Sequence, residues 1–344
     1  MSVAILKKQS KIIESTLKAF QAGRRVKAPL AGFPGCDLAG YSIKVAQQNP
    51  AAHYECIRAI YERFNPDVSF MMMDLSAEAN ALGIPVRFPK NESATVEEHP
   101  ISSAEDLEAL RKIDITEDSR ISGYLKAVEL ISSKLESLCC AYMAGPITLA
   151  GLLSGAEKVA MDAVLEPEKF KALAEFSAQV LEDYASALCD AGADAVCILE
   201  PTGVIFGPNE FQAYSAEYVK RINQVCRKKG VETIYHICGN SMHLIESMSG
   251  AGVSALSLDS PDTGVDLHLA AEKAGEDVVI IGDINPVAVM KDSSAQEVYN
   301  ATTQLLYKMK DVPNFILSTG CDLPPGTPPE NIEAFMKAER DFKG

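Results

Sequence analysis

Glu232-Thr233-Ile234-Tyr235-His236-Ile237-Cys238-Gly239 is the stretch on which the reading of this chain turns. It is a short apolar run that ends at a glycine and carries an imidazole and a thiol two residues apart. On an extended chain, residues two apart point to the same face. Much later, Asn314-Phe315-Ile316-Leu317-Ser318-Thr319-Gly320-Cys321 repeats the layout: an apolar run, a glycine, a second thiol. Both runs stop at strand-to-loop junctions, where parallel barrels carry their functional groups. If they lie side by side in one sheet, His236, Cys238 and Cys321 converge. One imidazole and two thiolates make a three-ligand zinc site with an open fourth position, the pattern of catalytic zinc. A His-x-Cys pair is weak by itself, since cysteine is also an ordinary small buried hydrophobe. Its place at two junctions gives it weight.

Outward from these two runs, the chain alternates short apolar segments with longer amphipathic ones. Strands are predicted at Pro29–Phe33, Val68–Met73, Cys139–Met143, Ala195–Leu199, Thr233–His236, Ala255–Leu258, Val278–Ile281 and Phe315–Ser318. Most are continuously apolar, as parallel strands buried on both faces are. Helices are predicted at Ala51–Phe64, Ala104–Ile113, Ile121–Leu138, Pro167–Ala191, Pro208–Lys229, Met242–Ala251, Asp266–Ala274, Ala295–Lys310 and Pro328–Lys343. Proline and acids in a first turn, as in Glu166-Pro167-Glu168 and Gly207-Pro208-Asn209-Glu210, mark helix starts. The expected fold is therefore α/β: a single (β/α)8 TIM barrel over residues 1–344 with an N-terminal helical extension, residues 1–28, as a cap. An open doubly wound sheet is the alternative, but its glycine-rich phosphate turn after the first strand is missing. Residues 77–100 lack periodicity and are long for a barrel loop. They read as a lid or partner-docking insertion, or equally as a simple insertion with a small hairpin.

Composition narrows the class. Forty-seven per cent of the 344 residues are hydrophobic, enough for a large core without covalent staples. The nine cysteines are odd in number, two are adjacent (Cys139, Cys140), and Cys189, Cys197 and Cys226 sit inside apolar or helical patterns. That reads as a reduced, cytoplasmic protein rather than a disulfide scaffold. No signal-peptide layout opens the chain and no apolar run approaches a membrane span. A formal charge of −15 argues against nucleic acid as a partner.

If the barrel is right, the residues after each strand line one mouth. They are Gly35, Cys36 and Asp37; Asp74; Gly145, Pro146 and Thr148; Glu200, Pro201 and Thr202; His236 and Cys238; Asp259; Asp283 and Asn285; Cys321 and Asp322. Acids, an imidazole and thiols at one mouth suit a functional face. Asp74 and Asp259 fit local turn caps equally well. Glu200 is harder to explain so, because a carboxylate at the end of an apolar strand is unfavourable unless paired or metal-bound. It is expected at the fourth metal position or orienting a ligand. Gly145, Asp259, Asp283 and Asn285 are expected to bind the cofactor. His53, His99, His243 and His268 fall on helix-like or loop segments and are expected at the surface or in caps.

The chain resembles the uroporphyrinogen decarboxylase superfamily, and within it the zinc-dependent methylcobamide:coenzyme M methyltransferases. Gly192-Ala-Asp-Ala195, Tyr235-His236-Ile-Cys238-Gly239-Asn240, Gly282-Asp-Ile-Asn-Pro286, Met143-Ala-Gly-Pro146 and Ser318-Thr-Gly-Cys321-Asp-Leu-Pro-Pro-Gly-Thr-Pro328-Pro329 carry the resemblance. It implies zinc on His236, Cys238 and Cys321. It implies a methylated corrinoid (methylcobalamin type) on a separate corrinoid protein as methyl donor, and a small-molecule thiol such as coenzyme M as acceptor. Two departures stand out. Glu200 stands where relatives commonly carry Asp before Pro. Phe33-Pro-Gly-Cys-Asp37 does not resemble the arginine-bearing first loop with which the decarboxylases grip substrate carboxylates. Rival readings are transfer to tetrahydrofolate or homocysteine, a metal-free decarboxylase of uroporphyrinogen type, and a non-enzymatic corrinoid-binding protein.

Overall fold

The computed structural model describes residues 10–343. Seven parallel strands lie side by side in chain order: β1 (Val68–Phe70), β2 (Leu138–Ala144), β3 (Ala195–Leu199), β4 (Glu232–Ile237), β5 (Ala255–Leu258), β6 (Val279–Ile284) and β7 (Phe315–Thr319). Nearly every strand position is buried, because helices cover the outside and side chains fill the inside. The sheet curls until β7 meets the segment before β1. Ala28 N–H donates to Leu317 O (2.9 Å), Leu317 N–H to Val26 O (3.0 Å) and Asp67 N–H to Lys27 O (2.9 Å). The architecture is the expected (β/α)8 barrel, with its first strand reduced to one extended bridge, Lys27 to Leu317.

That bridge corrects the strand predicted at Pro29–Phe33. Pro29 has no N–H to give a ladder, so pairing stops before it. From Gly32 the chain turns into a helix, Gly32–Ala39. Gly32 lies so close to the backbone of Met72 that a Cβ there would fall 2.7 Å from its Cα. Two helices after β2, Pro146–Ser154 and Ala156–Leu165, also escaped the sequence reading. The first is buried at eight of its nine positions, so it shows no amphipathic period. The predicted helix Pro208–Lys229 contains a π-helical turn, Gln212–Ala216.

The N-terminal cap is a helix, Lys11–Gln21, followed by the extended closing segment; residues 1–9 of the expected cap lie outside the described residues. Ile12 N–H donates to the buried Glu232 carboxylate at the start of β4 (3.1 Å), which anchors this helix at the end of the barrel opposite the mouth. Residues 77–100 hold a short helix, Ala77–Ala81, and a two-stranded hairpin, Val86–Arg87 with Thr95–Val96. Among the described residues no helix is long and apolar enough to cross a membrane.

Candidate metal centre

β4 delivers His236 inside the barrel, and the chain leaves the strand one residue before Cys238. The end of β7 delivers Cys321 to the same point. Cys238 Sγ lies 3.2 Å from His236 Nε2 and 3.2 Å from Cys321 Sγ, and Cys321 Sγ lies 3.8 Å from His236 Nε2. Among the described residues this is the one group of three or more acid, imidazole or thiol side chains gathered closely enough to hold a metal ion. His236 is buried while both thiols are partly exposed, so the cluster is open on its sulfur side. His236 Nδ1 meets Ser257 Oγ at 3.0 Å, which fixes the ring with Nε2 toward the sulfurs. The neighbouring Cys238 thiol, then burial, push the Cys321 thiol well up. Two sulfurs held this close ionise together only beside a cation.

The turn at the end of β5 supports both sulfur-bearing loops. Asp259 Oδ2 accepts from Gly239 N–H (2.7 Å) and Oδ1 from Ser260 N–H (2.6 Å). Gly239, at φ +86°, turns the chain sharply just after Cys238. On the other side Gly320 packs on Ser260, where a Cβ would fall 2.6 Å from the Ser260 nitrogen. Asp259 is thus a positioning residue for the cluster.

Glu200 is held by the protein's own donors and does not stand at the fourth metal position. Its carboxylate is fully buried and accepts from Thr148 N–H (2.6 Å), Ile147 N–H (3.2 Å) and the Ser215 hydroxyl. It therefore seats on the N-terminus of the helix Pro146–Ser154, where orphan N–H groups and the helix dipole favour a carboxylate. It is not part of the metal-sized cluster. Burial pushes its pKa up despite these bonds. Gly145 is the space Glu200 needs: a Cβ there would meet its carboxyl carbon at 2.5 Å. Asn285 is likewise engaged locally, donating to Asp262 (2.5 Å) and accepting from Val287 N–H and Ala288 N–H. Gly145 and Asn285 thus both meet the protein's own groups at the mouth. Asp283 differs, for it is buried with Oδ2 unpartnered.

The sequence pattern of the uroporphyrinogen decarboxylase (URO-D) family matches residues 30–342. The chain belongs to the URO-D family. Relatives include methylcobamide:CoM methyltransferases MtbA from Methanosarcina acetivorans and Methanosarcina mazei, each 28% identical over 78% of this chain and 78% of the relative. A uroporphyrinogen decarboxylase of Prochlorococcus marinus is 22% identical over 86% of both chains. A solved methyltransferase from Methanosarcina mazei shares the fold, with a TM-score of 0.84, 19% identity and coverage of 97% of this chain and 99% of that one. This URO-D member is an enzyme, of the methyltransferase kind for which its more similar relatives are named.

Sequence reading missed several polar groups of this URO-D barrel. Ser257 was passed over, although it is the one polar residue in Ala255–Leu258. Glu78 and Tyr142, both buried near the mouth, were not singled out. Asp74 is more than a turn cap: besides bonding Ser76 it forms a buried ion pair with Arg120 and accepts from the Tyr124 hydroxyl. Of the histidines expected outside, His53 is buried, with Nε2 accepting from Met72 N–H (2.9 Å), and burial lowers its pKa to about 4.

Proposed function

We propose that this chain is a zinc-dependent methyltransferase that moves a methyl group from a methylated corrinoid, carried by a separate corrinoid protein, to a thiol such as coenzyme M. The meeting of His236 Nε2, Cys238 Sγ and Cys321 Sγ carries the reading. A tetrahedral zinc shell, with Zn–S about 2.3 Å and Zn–N about 2.0–2.1 Å, holds its donors roughly 3.5–3.8 Å apart. Spacings of 3.2, 3.2 and 3.8 Å fit that shell with sub-ångström adjustment. Bound zinc supplies a Lewis acid that holds a guest thiol as thiolate. The chain's own residues set the geometry. Ser257 orients the imidazole, Asp259 and Gly320 place the two sulfurs, and the open sulfur side leaves room for the acceptor.

The names of the relatives support a corrinoid donor and coenzyme M as acceptor. The first loop supports transfer over decarboxylation, since the helix Gly32–Ala39 carries no arginine. The stretch 77–100, with its hairpin, is the proposed lid or docking surface. Nine free cysteines fit a cytoplasmic setting.

The test combines metal analysis with a thiol panel. The chain is incubated with methylcobalamin and each thiol, with and without a chelator, and loss of the methyl–cobalt absorbance is followed. One zinc per chain and chelator-sensitive transfer are expected, with both lost in Cys321→Ala. Transfer to homocysteine or tetrahydrofolate alone would change the acceptor. Corrin binding without turnover would favour a carrier, and a metal-free chain that decarboxylates a porphyrinogen would overturn the proposal.

A further inference from the structure

Seven of the nine cysteines are buried, whereas Cys238 and Cys321 are partly exposed. Exposure and contact coincide in this pair. The two sulfurs lie 3.2 Å apart, inside the roughly 3.5–4.0 Å at which even two unbonded carbon atoms rest. Cys36 and Cys56 also come near each other, at 3.7 Å, but both are closed off in a small apolar cluster with Phe33, Ile43 and Met72. The backbone keeps the exposed pair together. Gly239 N–H, just after Cys238, is held by Asp259, and Gly320, just before Cys321, packs on Ser260. Both sulfur-bearing loops thus lean on one turn, through contacts between protein groups alone. A disulfide holds its sulfurs about 2.05 Å apart, so the pair needs roughly 1 Å of further approach, within reach of the side-chain torsions. The open sulfur side that admits a guest thiol admits other small molecules as well.

We propose that Cys238 and Cys321 are a reversible oxidation site, closed by a hydroperoxide into a disulfide that excludes zinc, an inference that rests on the zinc site proposed above. One sulfur gives a lone pair to one peroxide oxygen. A sulfur–oxygen bond forms, the oxygen–oxygen bond breaks, and the thiol proton leaves with the second oxygen as water. The product is a sulfenic acid, which condenses with a neighbouring thiol. The other sulfur attacks it. A sulfur–sulfur bond forms, the sulfur–oxygen bond breaks, and the departing hydroxide takes the second thiol's proton as another water. Each sulfur is oxidised by one electron, and the peroxide is reduced by both. Only a thiolate is a good zinc ligand, so the disulfide leaves His236 alone of the three. Attack by a reducing thiolate reopens the bond and restores the site. A neighbouring thiol also halts oxidation before sulfinic acid, which reducing thiols do not reverse.

The test exposes the full chain to hydrogen peroxide, after a chelator and a reductant have stripped it of metal and both have been removed. Thiols are counted after unfolding, zinc uptake is measured on the folded protein, and peptide masses locate any new bond. The nine thiols are expected to fall to seven, with the Cys238 and Cys321 peptides joined and Cys36 and Cys56 still reduced. Zinc uptake is expected to fall from one per chain to almost none, and dithiothreitol to restore both thiols and zinc. Cys238→Ser and Cys321→Ser are expected to form no such bond and to hold a sulfenic acid on the remaining thiol, captured by dimedone. A wild type that keeps nine thiols, or that reaches sulfinic acid at either position without the joined peptide, overturns the inference without recourse to any variant. So does a joined chain that still takes up one zinc. A reduced wild type that binds no zinc sinks the zinc reading and this inference together, whereas one that binds zinc and never cross-links sinks this inference alone.

Discussion

At the scale of single residues, the candidate metal centre depends on which way one ring faces. Ser257 Oγ holds His236 Nδ1 at 3.0 Å, so Nε2 is the atom presented to Cys238 and Cys321. Removing such a partner of a ligating histidine typically lowers metal affinity by about 10–100-fold. Ser257→Ala is expected to lower zinc affinity by that factor while leaving one site per chain, measured by competition with a chromophoric chelator. Unchanged affinity would show that the ring is oriented by packing alone. The meeting of His236, Cys238 and Cys321 was legible in sequence because a spacing of two on an extended run points both groups one way and both apolar runs end at strand-to-loop junctions. Ser257 was not, because its role depends on strand pairing that no local pattern encodes. Glu200 was half legible. A carboxylate closing an apolar strand needed a partner, but its partners belong to a helix whose buried faces hid it from the periodicity.

Elements bring the two sulfurs together, and their approach is governed by close backbone packing. The β5 turn, Asp259–Ser260, is wedged between the loop after β4 and the loop after β7. Gly320 is where the second loop touches it, with Ser260 N only 2.6 Å from the place a Cβ would occupy. Backbone cannot rotate aside as a flexible side chain can, so one added methyl has to move a loop. Gly320→Ala is expected to displace Cys321 and leave the chain substoichiometric in zinc, with an overpacking loss of about 1–3 kcal/mol in urea unfolding. Full zinc occupancy in that variant would show that the loop has slack. The order of strands was legible, since each buried parallel strand is a short apolar run. The first strand was misplaced because its apolar residues, Pro29–Phe33, serve the turn over the mouth, while pairing falls on the more polar Arg25-Val26-Lys27.

Over the whole molecule, acidity outside is matched by acids buried within. The chain carries a formal charge of −15, yet Glu78, Glu200, Glu232 and Asp283 all lie below the surface with pKa values raised chiefly by burial. The two ends of a barrel collect such groups because strand termini converge there, and only some find N–H partners. Asp283 is the clearest case: Oδ2 has no partner, and burial, eased by Lys308 and reinforced by Asp266, lifts it from 3.8 to about 7. The folded protein therefore binds a proton at Asp283 that the unfolded chain has already lost in this range. Stability from this group is complete below about pH 4 and disappears as pH rises to about 7. Asparagine keeps the shape and never ionises. Relative to the wild type, Asp283→Asn is expected to gain roughly 2–4 kcal/mol between those limits, at about 1.4 kcal/mol per pH unit, and to gain nothing further above them. Urea unfolding of both proteins at about pH 4.5, 6 and 7.5 measures the difference. A gap that stays constant with pH would mean that Asp283 remains ionised throughout, held by a partner that balances its burial.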